Sequence, residues 1–136
     1  MNAPDIKAQT YHIEKVWGTD NRLYNLIGPF VMNPTVIRLN GGYPFKNTED
    51  HIWYIAMKNK NMVIGFLSVH NKNICNDFTW QDNNVLRILI DKALSDMNTG
   101  TMVSFTAVER ELELLESLGF SLEQKYTQYF KMVKTV

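Results

Sequence analysis

A mixed α/β sheet with helices on both faces is the fold class this sequence predicts, and three observations predict it. Short runs of β-forming residues recur along the whole chain, a long amphipathic helical stripe lies between two of them, and a second helical segment with a glycine stop precedes the last. A helix flanked by strands serves as a crossover, so its two neighbours should run parallel inside an otherwise mostly antiparallel sheet. At 136 residues, 45% of them hydrophobic, the chain suits one domain over residues 1–136 with a single core.

The elements follow in order. YHIEKVW alternates, so Tyr11 to Trp17 reads as a strand. In GTDNRLYNLIGPF, Thr19 or Asp20 caps a short helix that Gly28-Pro29 stops. Asn33-Pro34 marks a turn, and TVIRL reads as a short strand. NGGYPFKNTED is a loop in which Gly41-Gly42 permits positive φ. HIWYIAM and MVIGFLSV are strands joined by KNKN as a hairpin, and NICNDFTW follows HNKN as a further antiparallel strand. From about Asn84 to Met97, apolar Val85, Leu86, Leu89, Ile90, Ala93, Leu94 and Met97 share one helical face, and Thr99-Gly100 closes it. MVSFTAV is a strand and ERELELLESL a helix, with Gly119 at a left-handed C-cap and Phe120 folding back on the last turn. KYTQYFKMV is the final strand.

Composition narrows the function classes. Fourteen basic and fourteen acidic residues leave no net charge, which argues against a broad nucleic-acid footprint. A single cysteine, Cys75, excludes an internal disulfide and fits a reducing, cytoplasmic setting. MNAPDIKAQT lacks an apolar signal core, and no apolar run suits a bilayer. His12, His51 and His70 show no metal-ligand spacing, so no metal site is expected. Ser68, His70 and Asp77 are triad types without a nucleophile elbow.

Two stretches carry more. NDFTWQDNNVL runs from a strand into a helix, and VERELELLESLGF ends a helix on Leu-Gly-Phe. In that order and spacing the chain resembles the GCN5-related N-acetyltransferases. That family's cofactor strand runs into a Val-x-Pro-x-Tyr-Arg/Gln-x-x-Gly-x-Gly/Ala turn, and its later helix often reads Asn-Glu-Arg-Ala-x-x-Leu-Tyr-Glu-x-Leu-Gly-Phe. Trp80 stands for the aromatic, Gln81 for the Arg/Gln, and Asn84 and Leu86 for the two small residues. Glu109, Arg110, Leu114, Glu116, Leu118, Gly119 and Phe120 match the helix, whereas Leu115 replaces its tyrosine, often the general acid, and Val108 its asparagine.

The resemblance implies transfer of an acyl group, acetyl above all, from coenzyme A to a primary amine of a small molecule or protein. It places the pyrophosphate on Gln81, Asp82, Asn83, Asn84, Val85, Leu86 and Arg87. Helix N-terminal N–H groups favour an anion there, asparagine tolerates left-handed φ, and Arg87 can pair with a phosphate. It sets the pantetheine arm along the strand holding Cys75 and Asn76, which makes a cleft between ICNDF and MVSFTAV the deciding structural question. The other reading of the turn is that Asp82, Asn83 and Asn84 merely cap a helix. Counted back without gaps, the family's glutamate base falls on His70, with Asp77 as a second candidate. The bland readings are a solvated turn histidine and a loop or capping carboxylate. Tyr43, Phe45 and Trp53 line an acceptor pocket or pack in the core. Lys58, Lys60, His70 and Lys72 form a basic patch or solvated hairpin tips. The filled glycine positions and missing tyrosine keep a second function class in view, a non-catalytic binding module on the same fold. Monomer and dimer both remain open.

Overall fold

Alternation sets the first strand where it was expected. The computed structural model describes residues 11–136 apart from Tyr43 and Lys60 and places β1 at Tyr11–Trp17, with Val16 buried between exposed neighbours. The expectations for MNAPDIKAQT, Tyr43 and Lys60 lie outside the described residues.

Two local readings are corrected next. Helix α1, Leu23–Val31, has no side-chain cap: the Asp20 carboxylate instead accepts from the Arg22 N–H at 2.8 Å and pairs with its guanidinium at 3.0 Å. Gly28-Pro29 does not stop it. Proline removes one helical donor, but buried Leu23 and Ile27 hold the helix on the sheet through Val31. TVIRL is not a strand but the body of helix α2, Pro34–Leu39. Asn33 caps it through a 2.8 Å bond from the Thr35 N–H, and proline occupies the first turn, where a missing N–H costs nothing. The cap signal outweighed the β-branched residues behind it.

Strands β2, Ile52–Lys58, and β3, Met62–His70, form the expected hairpin. β4, Asn73–Phe78, follows a two-residue turn in which Asn71 and Lys72 both have positive φ (51° and 64°), the geometry that matches the strands' twist. Successive hairpins turn at opposite ends of a strand. Lys58 therefore lies at one end of β3 while His70 and Lys72 lie at the other, so they do not form one patch.

Helix α3, Asn83–Ser95, buries Val85, Leu86, Leu89, Ile90 and Ala93 of the predicted stripe, while Leu94 is half-buried and Met97 lies past the helix end. It leads to β5, Met102–Ala107. A 3₁₀ turn, Glu109–Glu111, precedes helix α4, Leu112–Ser117. Gly119 (φ 96°) closes α4, with the Phe120 N–H bonded to the Leu115 carbonyl at 2.9 Å and the Gly119 N–H to Glu116 at 3.0 Å. The final segment is two strands rather than one: β6, Ser121–Lys125, turns through a 2.8 Å bond from the Tyr126 N–H to the Tyr129 carbonyl into β7, Phe130–Thr135.

One seven-stranded sheet results, ordered β1-β2-β3-β4-β5-β7-β6. All neighbours are antiparallel except β4 and β5, which run parallel across the α3 crossover, as predicted. One core holds α3, α4 and the side chains Leu67, Ile74, Val103 and Phe105. The other packs α1 and α2 against Val16, Trp53, Ile55, Phe66 and Phe78. Gly65 seats α3: a Cβ there would meet Val85 Cγ1 and Thr79 Cγ2 at 2.9 Å, so only glycine lets the helix start lie this close to β3. Among the described residues no helix is long and apolar enough to cross a membrane.

Candidate active site

The parallel pair does not stay paired. β4 and β5 match at Asn73↔Ser104 and Ile74↔Phe105 and then part. A bulge helps them part. Between Ser68↔Cys75 and Phe66↔Phe78, β4 uses one more residue than β3, and Asn76 takes φ 58°. A cavity of about 460 Å³ opens in the gap. Its walls are Cys75 and Asn76 on β4, Thr106 and Ala107 at the end of β5, Val108 beyond it, Tyr129 from the last hairpin, and Asn40, Pro44 and Lys46 from the loop after α2. The cavity thus opens between ICNDF and MVSFTAV.

Side-chain amides fix the walls. Asn76 binds the Lys46 backbone as a strand partner would, taking its N–H at 3.0 Å and donating to its carbonyl at 2.8 Å. Asn76 also donates to Ser68 Oγ at 2.7 Å. On the other side Asn73 accepts from Ser104 Oγ at 2.7 Å and donates to Thr106 Oγ1 at 3.2 Å. Phe45 anchors the loop by an edge contact with Phe66, their centroids 5.8 Å apart. Phe45 and Trp53 are thus core residues, and Trp53 Nε1 donates to Asn47 at 2.8 Å.

The turn into α3 is a capped helix start. Asp82 Oδ1 accepts from the Asn84 N–H at 2.9 Å and the Val85 N–H at 3.2 Å. A carboxylate therefore takes up two of the donors an anion would use. The left-handed residues are Trp80 (53°) and Gln81 (63°), not the asparagines; Asn83 and Asn84 are already helical. Val85 and Leu86 point into the core, whereas Gln81, Asp82, Asn83, Asn84 and Arg87 are exposed. None of these seven residues lines the cavity; Cys75 and Asn76 do.

The two candidate bases lie elsewhere. His70 stacks on buried His51, with centroids 4.4 Å apart and planes within 8°, and is not a wall residue. Burial, then the nearby His70 and Lys46, push His51 below the usual imidazole value. Asp77 is neither a loop carboxylate nor a cap. It is buried and shares a hydrogen bond with buried Glu111. Burial pushes both carboxyls above their ordinary range, and the Asp77 charge and hydrogen bond push Glu111 further. Glu111 Oε1 accepts the Val108 N–H at 3.0 Å. In the sequence Glu111 shows only as an acid on the helix's apolar stripe, four and seven residues before Leu115 and Leu118. Among the described residues no group of three His, Cys, Asp or Glu gathers as a metal site would require.

No protein-family model matches this chain, and no curated protein sequence does. Solved structures match across nearly its whole length. An acyl-CoA N-acyltransferase from Pseudomonas aeruginosa is similar at a TM-score of 0.72 and 12% identity, over 93% of this chain and 100% of that one. Escherichia coli ElaA is similar at 0.68 and 13%, over 92% and 99%. AAC(6')-Ib, solved with paromomycin and acetyl-CoA, is similar at 0.51 and 14%, over 93% of each chain. The fold is that of the GCN5-related N-acetyltransferases.

Proposed function

We propose that this protein is an acyl-CoA-dependent N-acyltransferase, acetyl-CoA being its donor and a primary amine its acceptor. One observation carries the proposal: parallel strands on this fold that part after two residue pairs around a cavity of about 460 Å³. Past Ile74 and Phe105 the strand edges no longer meet each other. Backbone donors and acceptors are there for a pantetheine arm to pair with, which is the fit an extended amide-bearing chain requires. Amide-forming transfer from a thioester needs few side chains. The amine attacks neutral, a backbone donor polarises the thioester carbonyl, and the leaving thiolate takes a proton.

Tyr129 supplies a phenol to the cavity wall. In this reading its hydroxyl donates that proton, the role left open by Leu115. With His70 and Asp77 off the wall, the amine gives up its own proton to water, and positioning supplies most of the rate. Calorimetry with acetyl-CoA, followed by a turnover assay on a broad amine panel, tests the reading; no binding and no turnover would end it.

The second reading, a binding module without catalysis, is favoured by the Asp82 cap and the buried Leu86. Asp82→Asn separates the two. Asparagine keeps the capping acceptor, so stability should hold within about 0.5 kcal/mol. Removing one negative charge beside a bound pyrophosphate should tighten acetyl-CoA about fivefold, from roughly 1 kcal/mol of repulsion in high dielectric. An affinity unmoved by the substitution would place the phosphates away from this helix. Arg87→Ala is the companion variant, since buried Leu86 bars a charge at its position, and a weaker affinity is expected from the lost pairing.

A further inference from the structure

We propose that the acceptor is a small primary amine carrying an anionic group of its own, an amino acid in the simplest case, and that Lys46 receives that group. The inference rests on the function proposed above and names the substrate class of the same cavity. Its basis is the wall. Among the described residues that line the cavity, Lys46 is the one charged residue and no carboxylate joins it. Glu49 and Asp50 follow it on the same loop without lining the cavity, and so do the buried carboxyls Asp77 and Glu111 stay off the wall. A polycationic amine would find no carboxylate here and a lysine facing it. An amine that carries a carboxylate or phosphate meets a complementary charge instead.

Lys46 is held in place for this contact. Asn76 takes its backbone N–H at 3.0 Å and donates to its carbonyl at 2.8 Å, which ties the residue to β4 while it stays exposed. Phe45, the residue before it, is anchored on the Phe66 ring. The flexible stem thus starts from a fixed point on the wall, and among the described residues its ammonium makes no ion pair. In the proposed reading the parted edges of β4 and β5 hold the pantetheine. The acceptor is left the walls from other segments, Asn40, Pro44 and Lys46 after α2 and Tyr129 from the last hairpin. About 460 Å³ is at the small end of ligand sites, so the room beside a thioester suits a small amine.

The pairing also serves the reaction. An ammonium beside its own carboxylate holds its proton tightly, and a cation on that carboxylate weakens the hold. The neutral amine nitrogen then bonds to the acyl carbon and the carbon–sulfur bond breaks with its electron pair on sulfur. The nitrogen's surplus proton passes to water, and the thiolate takes one from Tyr129.

The test compares amines that differ only in the anion. Each common amino acid is assayed with acetyl-CoA beside its own amide, O-phosphoethanolamine beside ethanolamine, and spermidine alone. For the best substrate, wild type should favour the anionic member in kcat/KM by about tenfold or more, the worth of one charge-assisted contact. Amino-acid amides have the more acidic ammonium, so a preference for the acid does not come from the amine itself. Lys46→Met should bring the ratio to about one, mainly through KM, and Lys46→Glu should invert it. Both variants keep the Asn76 clamp, which holds only the backbone of residue 46. A response of the amino acids alone names a carboxylate, and of O-phosphoethanolamine alone a phosphate. Wild type that prefers the amides, ethanolamine or spermidine overturns the proposal and leaves the acyltransferase standing, as does Lys46→Met with the wild-type ratio. If no amine is acetylated, the proposed function fails and amide NMR decides the anion site. Glycine or O-phosphoethanolamine should then shift the Asn40 and Lys46 amides in wild type and not in Lys46→Met; no shift in wild type overturns it.

Discussion

Tyr129→Phe should lower kcat by about 10²–10⁴-fold, the usual contribution of a positioned proton donor, while acetyl-CoA affinity stays close to wild type. Tyr129 stands on the cavity wall at the turn between β6 and β7, its ring stacked on Tyr126 with centroids 4.7 Å apart. The β7 strand that follows pairs with β5 from Met102↔Thr135 to Ala107↔Phe130, so the turn is delivered to the open end of the cleft. Phenylalanine keeps the ring and its stack and deletes only the hydroxyl. A transition-state role predicts a fall in kcat and in kcat/KM together, whereas a packing role would move KM or stability. Full turnover in Tyr129→Phe would hand the leaving thiolate's proton to water.

Phe66→Ala should cost about 3–5 kcal/mol of stability, read by urea or thermal unfolding. Phe66 is fully buried, with ring centroids of Phe30, Phe45, Trp53 and Phe78 all between 5.8 and 6.0 Å away. Four rings lose a partner at once, and β3 is too firmly paired on both sides to close over the hole. The loss reaches the cleft. Phe45 is the loop's anchor, and its neighbour Lys46 is the backbone that Asn76 grips. Affinity for acetyl-CoA should therefore weaken in whatever fraction still folds. A cost below about 1 kcal/mol would mean the site collapses readily, against the packing described.

Periodicity carried the parts of the fold that depend on it. Tyr11–Trp17 and the α3 stripe stand where alternation and helical spacing put them, because each has one face in water and one in a core. TVIRL was misread because Val36 and Ile37 argue for strand, while the deciding signal, Asn33-Pro34, stands outside the segment. The last hairpin was read as one strand because its turn, around Thr127-Gln128, has neither glycine nor proline. The parallel pair that flanks the cleft could be expected from the strand-helix-strand order. The cleft's walls could not, since Lys46 and Tyr129 come from segments distant in sequence and are brought there by an Asn76 clamp and a β7 register. Glu111 was hidden for a similar reason: its partner, Asp77, lies 34 positions earlier and meets it only after the strands part.

Amide NMR with acetyl-CoA added stepwise tests the central claim most directly. The account predicts saturable shifts concentrated at Cys75, Asn76, Thr106, Ala107 and Val108, the backbone that flanks the parting of β4 and β5. Shifts absent from these five residues at saturating acetyl-CoA, or confined to another face of the sheet, would contradict it.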